Sequence, residues 1–441
     1  MARDANIRRL APDARRFLDL KTRGVEGRAR LLRRLTPATV GLRPIDRPYA
    51  PSADHFRSAN RRLAAIDRTV RQRLGEVRRL GRDAGSEDRL LALAMVEREL
   101  DRARRAFGMF FEVFAQRGTG FARALAAHDA IARDCYRAVR RTAPRMFAGP
   151  LVPPLTYLEH GYSPATMRRG VTLARLLGER NPFPLIRIPY DRDQPWQAVF
   201  LHEVSHNLQA DLGLWIENRN AVIHRLAEVG ASALSTSIFG RWHKEIFADL
   251  AALLLGGPAA AWGMAAFLSH PADKVMTYRP GGPHPTGYLR VRLLAQMLER
   301  MGFPEEGRRL AGVWSDLYDV RRGHRIPVTL LRESPRVIAA VVDEMAFQPR
   351  RALAERALAS VIPFTRTDQA LIRRAGLSLR HGRPLPAMPP RFLVCAALYA
   401  IEAGADMTQL HERMLDLLAP VPAASTTVPQ TPILSKPALA A

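Results

Sequence analysis

Leu201-His202-Glu203-Val204-Ser205-His206 is the stretch on which this chain's architecture and chemistry turn. Two histidines four positions apart lie about 40° from each other around an α-helix and one turn along it, so both imidazoles can reach a single ion. Glu203 projects beside them, where it can hold and deprotonate a zinc-bound water without taking a coordination position. Phe200, Val204, Leu208 and Leu212 form an i+4 ridge on roughly the opposite side, which predicts a helix that packs with one face and turns the other to a cleft.

The flanking residues extend that reading. Leu185-Ile186-Arg187-Ile188, between Pro184 and Pro189, reads as a short edge strand. Asp193 is placed to cap the following helix, with Pro195 in its first turn. A catalytic metal with three protein ligands and one open position needs a further ligand from elsewhere, and the best candidate is Glu245 in His243-Lys244-Glu245-Ile246-Phe247-Ala248-Asp249. Glu245 and Asp249 share a helix face, while Ile246, Phe247, Leu250 and Leu254 face inward. Asp249 is then placed to accept the free ring N–H of a ligating histidine and fix its tautomer.

The pairing of His-Glu-Val-Ser-His with a downstream Glu-x-x-x-Asp helix resembles the gluzincin metallopeptidases, the broad thermolysin-like clan. That resemblance spans about residues 184 to 300. It implies zinc held by His202, His206 and Glu245, with Glu203 as general base and Asp249 as the acid behind a ligand. Glu245 lies 39 positions after His206, a longer interval than in thermolysin and closer to the compact or membrane-protease branches of the clan. Glu228 is nearer the thermolysin interval and is the competing ligand, but Ser232 stands four positions after it instead of an acid. The metzincin pattern fails, because Leu212 occupies the position of its third histidine.

Zincins commonly stabilise the tetrahedral oxyanion with a Tyr or His donor. Tyr278, His284 and Tyr288 lie in or beside a Pro- and Gly-rich loop that precedes the helix containing Arg290 and Arg292. His284 and Tyr288 are the two candidate catalytic donors; the alternative is that His284 packs the loop and Tyr288 is a half-buried helix residue. His224, His243 and His270 read as structural or exposed.

The outer parts of the chain are helical. Residues 1 to 50 form a basic arm ending at Pro44, Pro48 and Pro51. Leu63, Ile66, Val70, Leu74, Val77 and Leu80 then make one apolar stripe, and Leu100, Ala103, Phe107, Phe110 and Phe114 a second. The turn from Gly81 to Ser86 makes these a hairpin, and a third helix follows from about Phe121 to Arg141. The expected organisation is a basic helical domain over 1–150, a zincin-like domain over 151–350, a helical region over 351–419 and a disordered tail over 420–441. The fold class is mainly α: an α+β zincin core with a small sheet, flanked by helical domains. Leu250 to Leu268 is uncharged over nearly the length of a membrane span, but Gly256-Gly257-Pro258 interrupts it, which predicts two buried core helices.

With 67 Lys and Arg against 42 Asp and Glu, the formal charge is +25, a field that attracts polyanions. Nearly all the cations are Arg, so nucleotide bias in the encoding genome accounts for the excess equally well. Arg61, Arg62, Arg68, Arg71, Arg73, Arg78 and Arg79 form either a stripe for nucleic acid or an acidic protein partner, or a solvated outer face. Cys135 and Cys395 are far apart and in no metal-ligand spacing, and the start of the chain has no apolar signal core; a cytoplasmic protein is expected. Two functions of different class follow. One is a zinc metallopeptidase acting on a protein or peptide. The other is a basic scaffold for nucleic acid or protein with a structural or regulatory zinc.

Overall fold

The computed structural model describes residues 11–80, 85–147, 152–161, 165–169, 172–173, 179–190, 194 and 197–420. The Asp193 cap, Pro195, most of the turn from Gly81 to Ser86 and the tail beyond Pro420 lie outside them. The described chain is mainly α, as expected. Helices α1 (Pro12–Arg30), α2 (Ala53–Leu80) and α3 (Ser86–Ala115) pack side by side, and α4 (Ala122–Thr142) follows within a residue or two of its expected limits. The α2 stripe from Leu63 to Val77 is buried, whereas Leu80, at the helix end, is exposed. Arg71, Arg73 and Arg78 pair with Asp67, Glu76 and Glu26 at 2.8–2.9 Å. The Arg stripe therefore carries less free charge than its sequence suggests.

Beyond α4 lie β1 (Leu155–Leu158), β2 (Ala165–Met167), β3 (Thr172–Leu173), β4 (Glu179–Arg180) and β5 (Leu185–Ile188). β5 corrects the sequence reading: it is the central strand of a three-stranded sheet in the order β1-β5-β2, parallel to β1 and antiparallel to β2. Pro184 and Pro189 lie outside the ladder and cost it no donor, and the Pro184 carbonyl accepts the Leu155 N–H at 3.0 Å. The edge strands are β1 and β2, of which β2 packs against the motif helix. A buried network fastens β1 to α4: Arg117 Nη1 donates to Asp129 Oδ2 at 2.8 Å, and the Thr156 N–H and hydroxyl both donate to Asp129 Oδ1.

The remainder is helical apart from a two-stranded ribbon. In order come α5 (Val199–Asp211), α6 (Leu214–Glu228), α7 (Ala233–Gly256), α8 (Pro258–Leu268), α9 (Ala272–Val275), α10 (Gly287–Arg300), α11 (Pro304–Leu317) and α12 (Val328–Val342). The ribbon pairs β6 (Pro349–Arg350) with β7 (Arg356–Ala357), and α13 (Leu358–Val361), α14 (Arg366–Arg380), α15 (Pro390–Glu402) and α16 (Met407–Leu418) close the chain. The apolar segment breaks where Gly256-Gly257-Pro258 predicts. Gly257 has φ +65°, and a Cβ there would overlap the Phe364 ring, so a side chain is excluded twice. Among the described residues no helix is long and apolar enough to cross a membrane.

The largest cluster of buried side chains runs from Ala124 on α4 to Leu418 on α16. The core of the first helix pair is separate and reaches the sheet at Leu155, Tyr157 and Leu185, while Leu158, Ile186 and Ile188 of the same strands join the main interior; α14 to α16 pack into the same interior as α5 and α7. Cys135 and Cys395 are both buried in it, and burial pushes the Cys395 thiol up to about 12.

Two buried histidines, His55 against Phe183 and His128 against Phe200, make the fold acid-sensitive. Burial pushes His55 and His128 down to about 4 from 6.5. Ser52 Oγ donates to His55 Nδ1 at 2.8 Å and Nε2 donates to the Pro153 carbonyl at 3.0 Å, which fixes one neutral tautomer. His128 Nδ1 donates to the Ala124 carbonyl at 2.8 Å. Because the folded pKa lies below the unfolded one, the unfolded chain takes up protons first. The contribution is whole above about pH 6.5 and drains as pH falls toward 4, by about 3 kcal/mol per histidine. Thermal melts from about pH 8 to 4 should show Tm falling across that window; a flat Tm would contradict this account.

Candidate metal centre

The site is built where α5 crosses α7, with α10 behind them and β2 along one side. α5 buries the predicted ridge, with Phe200, Val204, Leu208 and Leu212 all inaccessible, and α7 likewise buries Ile246, Phe247, Leu250 and Leu254. Those two apolar faces hold the polar faces at a fixed separation.

His202, His206 and Glu245 form a group able to hold a metal ion, each offering one ligand atom, all within 4.8 Å of one another. Glu245 Oε2 lies 3.4 Å from His202 Nε2, and its Oε1 lies 3.3 Å from His206 Nε2. An ion bonded tetrahedrally at about 2.0–2.2 Å has ligand–ligand edges of about 3.3–3.6 Å, and each histidine nitrogen approaches one carboxylate oxygen at about that distance. The two imidazoles stand nearly perpendicular, at 82° with centroids 4.6 Å apart. Burial works against the Glu245 charge, but the two histidines outweigh it and hold the carboxyl well below the usual range.

Asp249 occupies the position expected of it. It is 1% exposed, and His202 Nδ1 donates to its Oδ1 at 2.8 Å, which leaves Nε2 directed at Glu245. Arg290, on α10, completes the buried set. Its Nε and Nη2 grip the two Asp249 oxygens at 2.5 and 2.8 Å. Nη2 is also nearly equidistant from both His202 ring nitrogens, at 3.2 and 3.1 Å, which places it against the ring and not in line with either nitrogen. For Asp249, burial opposes the charge while Arg290 and His202 outweigh it, so its carboxyl is held below its ordinary value.

Glu203 is 9% exposed and stays out of the ligand group. Thr166 Oγ1, on β2, stands 2.8 Å from both the Glu203 main-chain oxygen and its Oε2, tying the edge strand to the motif helix. These groups open onto a cleft of about 410 Å³, whose walls include Thr166, Arg168, Trp215, Lys244, Phe267 and His284. Arg168 Cζ and Lys244 Nζ each lie 3.7 Å from the Trp215 ring centroid. Burial lowers both cations, and for Lys244 the neighbouring Arg168 adds to the effect.

The two candidate oxyanion donors separate. His284 lines the cleft, 63% exposed, with Nε2 3.7 Å from Glu245 Oε1. Tyr288 is 7% exposed, packs in the main core and does not line the cleft. Tyr278 packs edge-on against Trp242. Glu228 is remote from the group, half-exposed at the end of α6 and paired with His224 and Arg225. His224 is exposed and His243 buried, its Nδ1 bonded to the Gly240 carbonyl.

Glu245→Ala should therefore weaken metal retention strongly, while Glu228→Ala leaves it unchanged. Dialysis followed by elemental analysis of both variants checks this, and the reverse ranking would overturn the ligand assignment.

Arg290 and Thr166 are the site residues without a role in the sequence reading. Arg290 had a signal: it falls on the apolar stripe formed by Leu293, Leu294 and Met297, all buried, and a charge on a buried stripe requires a partner. Thr166 had none, since its role depends on a three-residue strand. No known protein family, curated protein or solved structure matches the chain.

Proposed function

We propose that this protein is a zinc-dependent metallopeptidase of the gluzincin type. One observation carries the reading: two histidines and a carboxylate converge within 4.8 Å, with a second carboxylate, Glu203, beside them in the cleft but outside the ligand group. A purely structural site has no use for that extra acid. Two imidazoles and one carboxylate form a donor set that suits zinc. When bound, zinc polarises the scissile carbonyl and lowers the pKa of the attacking water.

The chain's own residues supply the rest. Glu203 takes the proton from the attacking water and passes it to the leaving amine, held in place by Thr166. Asp249 keeps the proton of His202 on Nδ1, so that Nε2 presents its lone pair to the ion. His284, on the open side of the cleft, is the donor placed to meet the oxyanion. Among the described residues β2 pairs with β5 alone, so its outer edge is the one that an extended substrate joins, in place of β5.

The test is to load the protein with zinc, incubate it with a diverse set of synthetic peptides and read cleavage by mass spectrometry. Cleavage that a chelator abolishes and added zinc restores supports the proposal. No cleavage of any peptide by protein shown to hold zinc would count against it.

A further inference from the structure

The cleft wall beside the ligand group carries charge that the proposed chemistry does not use. Arg168 leaves the end of β2, Lys244 precedes Glu245 on α7, and Trp215 lies in the first turn of α6. These three elements bring two cations to a single indole, each 3.7 Å from its centroid. An aromatic face attracts a cation, but two like charges on one ring repel each other, and both are half-buried. Elsewhere the chain's cations are commonly matched with acids, as Arg71 is with Asp67 and Arg350 with Glu344. Arg290 is occupied by Asp249 in the same site. Among the described residues, neither Arg168 nor Lys244 has a carboxylate within ion-pair distance.

We infer that this pair is a subsite for a carboxylate of the substrate, so that the cleft selects peptides bearing an acidic side chain or a free chain end beside the bond to be cut. The inference rests on the metallopeptidase reading. The guanidinium of Arg168 offers a planar fork for both carboxylate oxygens, and Lys244 offers a point charge alongside. Trp215 holds the two in place while the subsite is empty, and a bound carboxylate replaces the ring as their principal partner. The subsite adjoins the ligand group, because Arg168, Trp215 and Lys244 line the same cleft as His202, His206 and Glu245.

Three peptide hydroxamates of one length test it, since a hydroxamate seeks the metal whatever its side chains. One carries Asp and an amidated end, the second Asn and an amidated end, and the third Asn with a free carboxyl end. Binding to the zinc-loaded protein is read by titration calorimetry. At least one carboxylate probe should bind about 10-fold tighter than the neutral one, the size of one charge-assisted hydrogen bond. Which of the two it is identifies the source of the carboxylate. That advantage should vanish in Arg168→Gln/Lys244→Gln, with zinc content unchanged. If the double variant loses zinc, Arg168→Gln alone, off the ligand helices, should reduce the advantage. A neutral probe that binds as tightly as both acidic ones overturns the subsite and leaves the peptidase proposal standing. Failure of all three to bind zinc-loaded protein removes both.

Discussion

Glu203→Gln should abolish peptide cleavage while leaving the metal in place. The substitution keeps the side chain's size, and the amide oxygen can still accept the Thr166 hydroxyl that now lies 2.8 Å from Oε2. His202, His206 and Glu245 are untouched, so zinc occupancy and fold should match the wild type. The amide cannot take a proton from water at neutral pH. Loss of a positioned general base typically costs about 10²- to 10⁴-fold in rate, which is the expected loss in kcat/KM. Substrate binding should survive, so the variant should hold peptides that the wild type cuts. Parallel measurement of zinc and of cleavage checks the claim, and a zinc-loaded variant that cuts as fast as wild type would take Glu203 out of the mechanism.

Arg290→Met should be the most destabilising single change at the site. Arg290 is 6% exposed and Asp249 1% exposed, and the two share a two-pronged ion pair in the interior. Replacing two buried charges together by apolar groups is often neutral, whereas removing one leaves the other uncompensated, at a cost of about 3–5 kcal/mol. Methionine fills much of the volume, so the loss reports on charge more than on a cavity. Asp249 also loses the two contacts that fix its carboxylate in line with His202, and metal affinity should fall roughly 10- to 100-fold, the range for groups that orient a ligand. Adding Asp249→Asn to Arg290→Met should return part of the stability by removing the stranded charge. Denaturant unfolding of the three proteins measures this, and an Arg290→Met protein within about 1 kcal/mol of wild type would contradict the account.

Where helical periodicity governs, the sequence was legible. The spacing of His202 and His206, the ridge from Phe200 to Leu212, the Glu245 and Asp249 face and the break at Gly256-Gly257-Pro258 all depend on neighbours within a turn or two, and each appears where that spacing puts it. The strand at Leu185–Ile188 was found, but its place in the sheet was misread. Prolines flanking a strand say that its ends lack donors, not whether both edges are paired, and pairing with β1 and β2 is a long-range fact.

The cleft was the least legible part. Thr166 and Arg168, Trp215, and His284 come from three separate segments, and only the folded chain sets them around one space. His284 was within reach as a polar residue in a Pro- and Gly-rich loop, while Tyr288, equally plausible by composition, turns into the core because α10 begins at Gly287 and directs it inward. Arg290 shows the opposite lesson. Its position on an apolar stripe announced a buried charge, and the acids that meet it are ones already named, Asp249 at 2.5 Å and Glu245 at 3.7 Å.

The central claim is that His202, His206 and Glu245 hold zinc, and elemental analysis of the purified protein tests it most directly. About one zinc per chain is predicted, lost from a variant with all three ligands changed to Ala and regained when stripped wild-type protein is given the metal. Wild-type protein that carries no tightly held metal, and takes up none after refolding with zinc, would contradict the account.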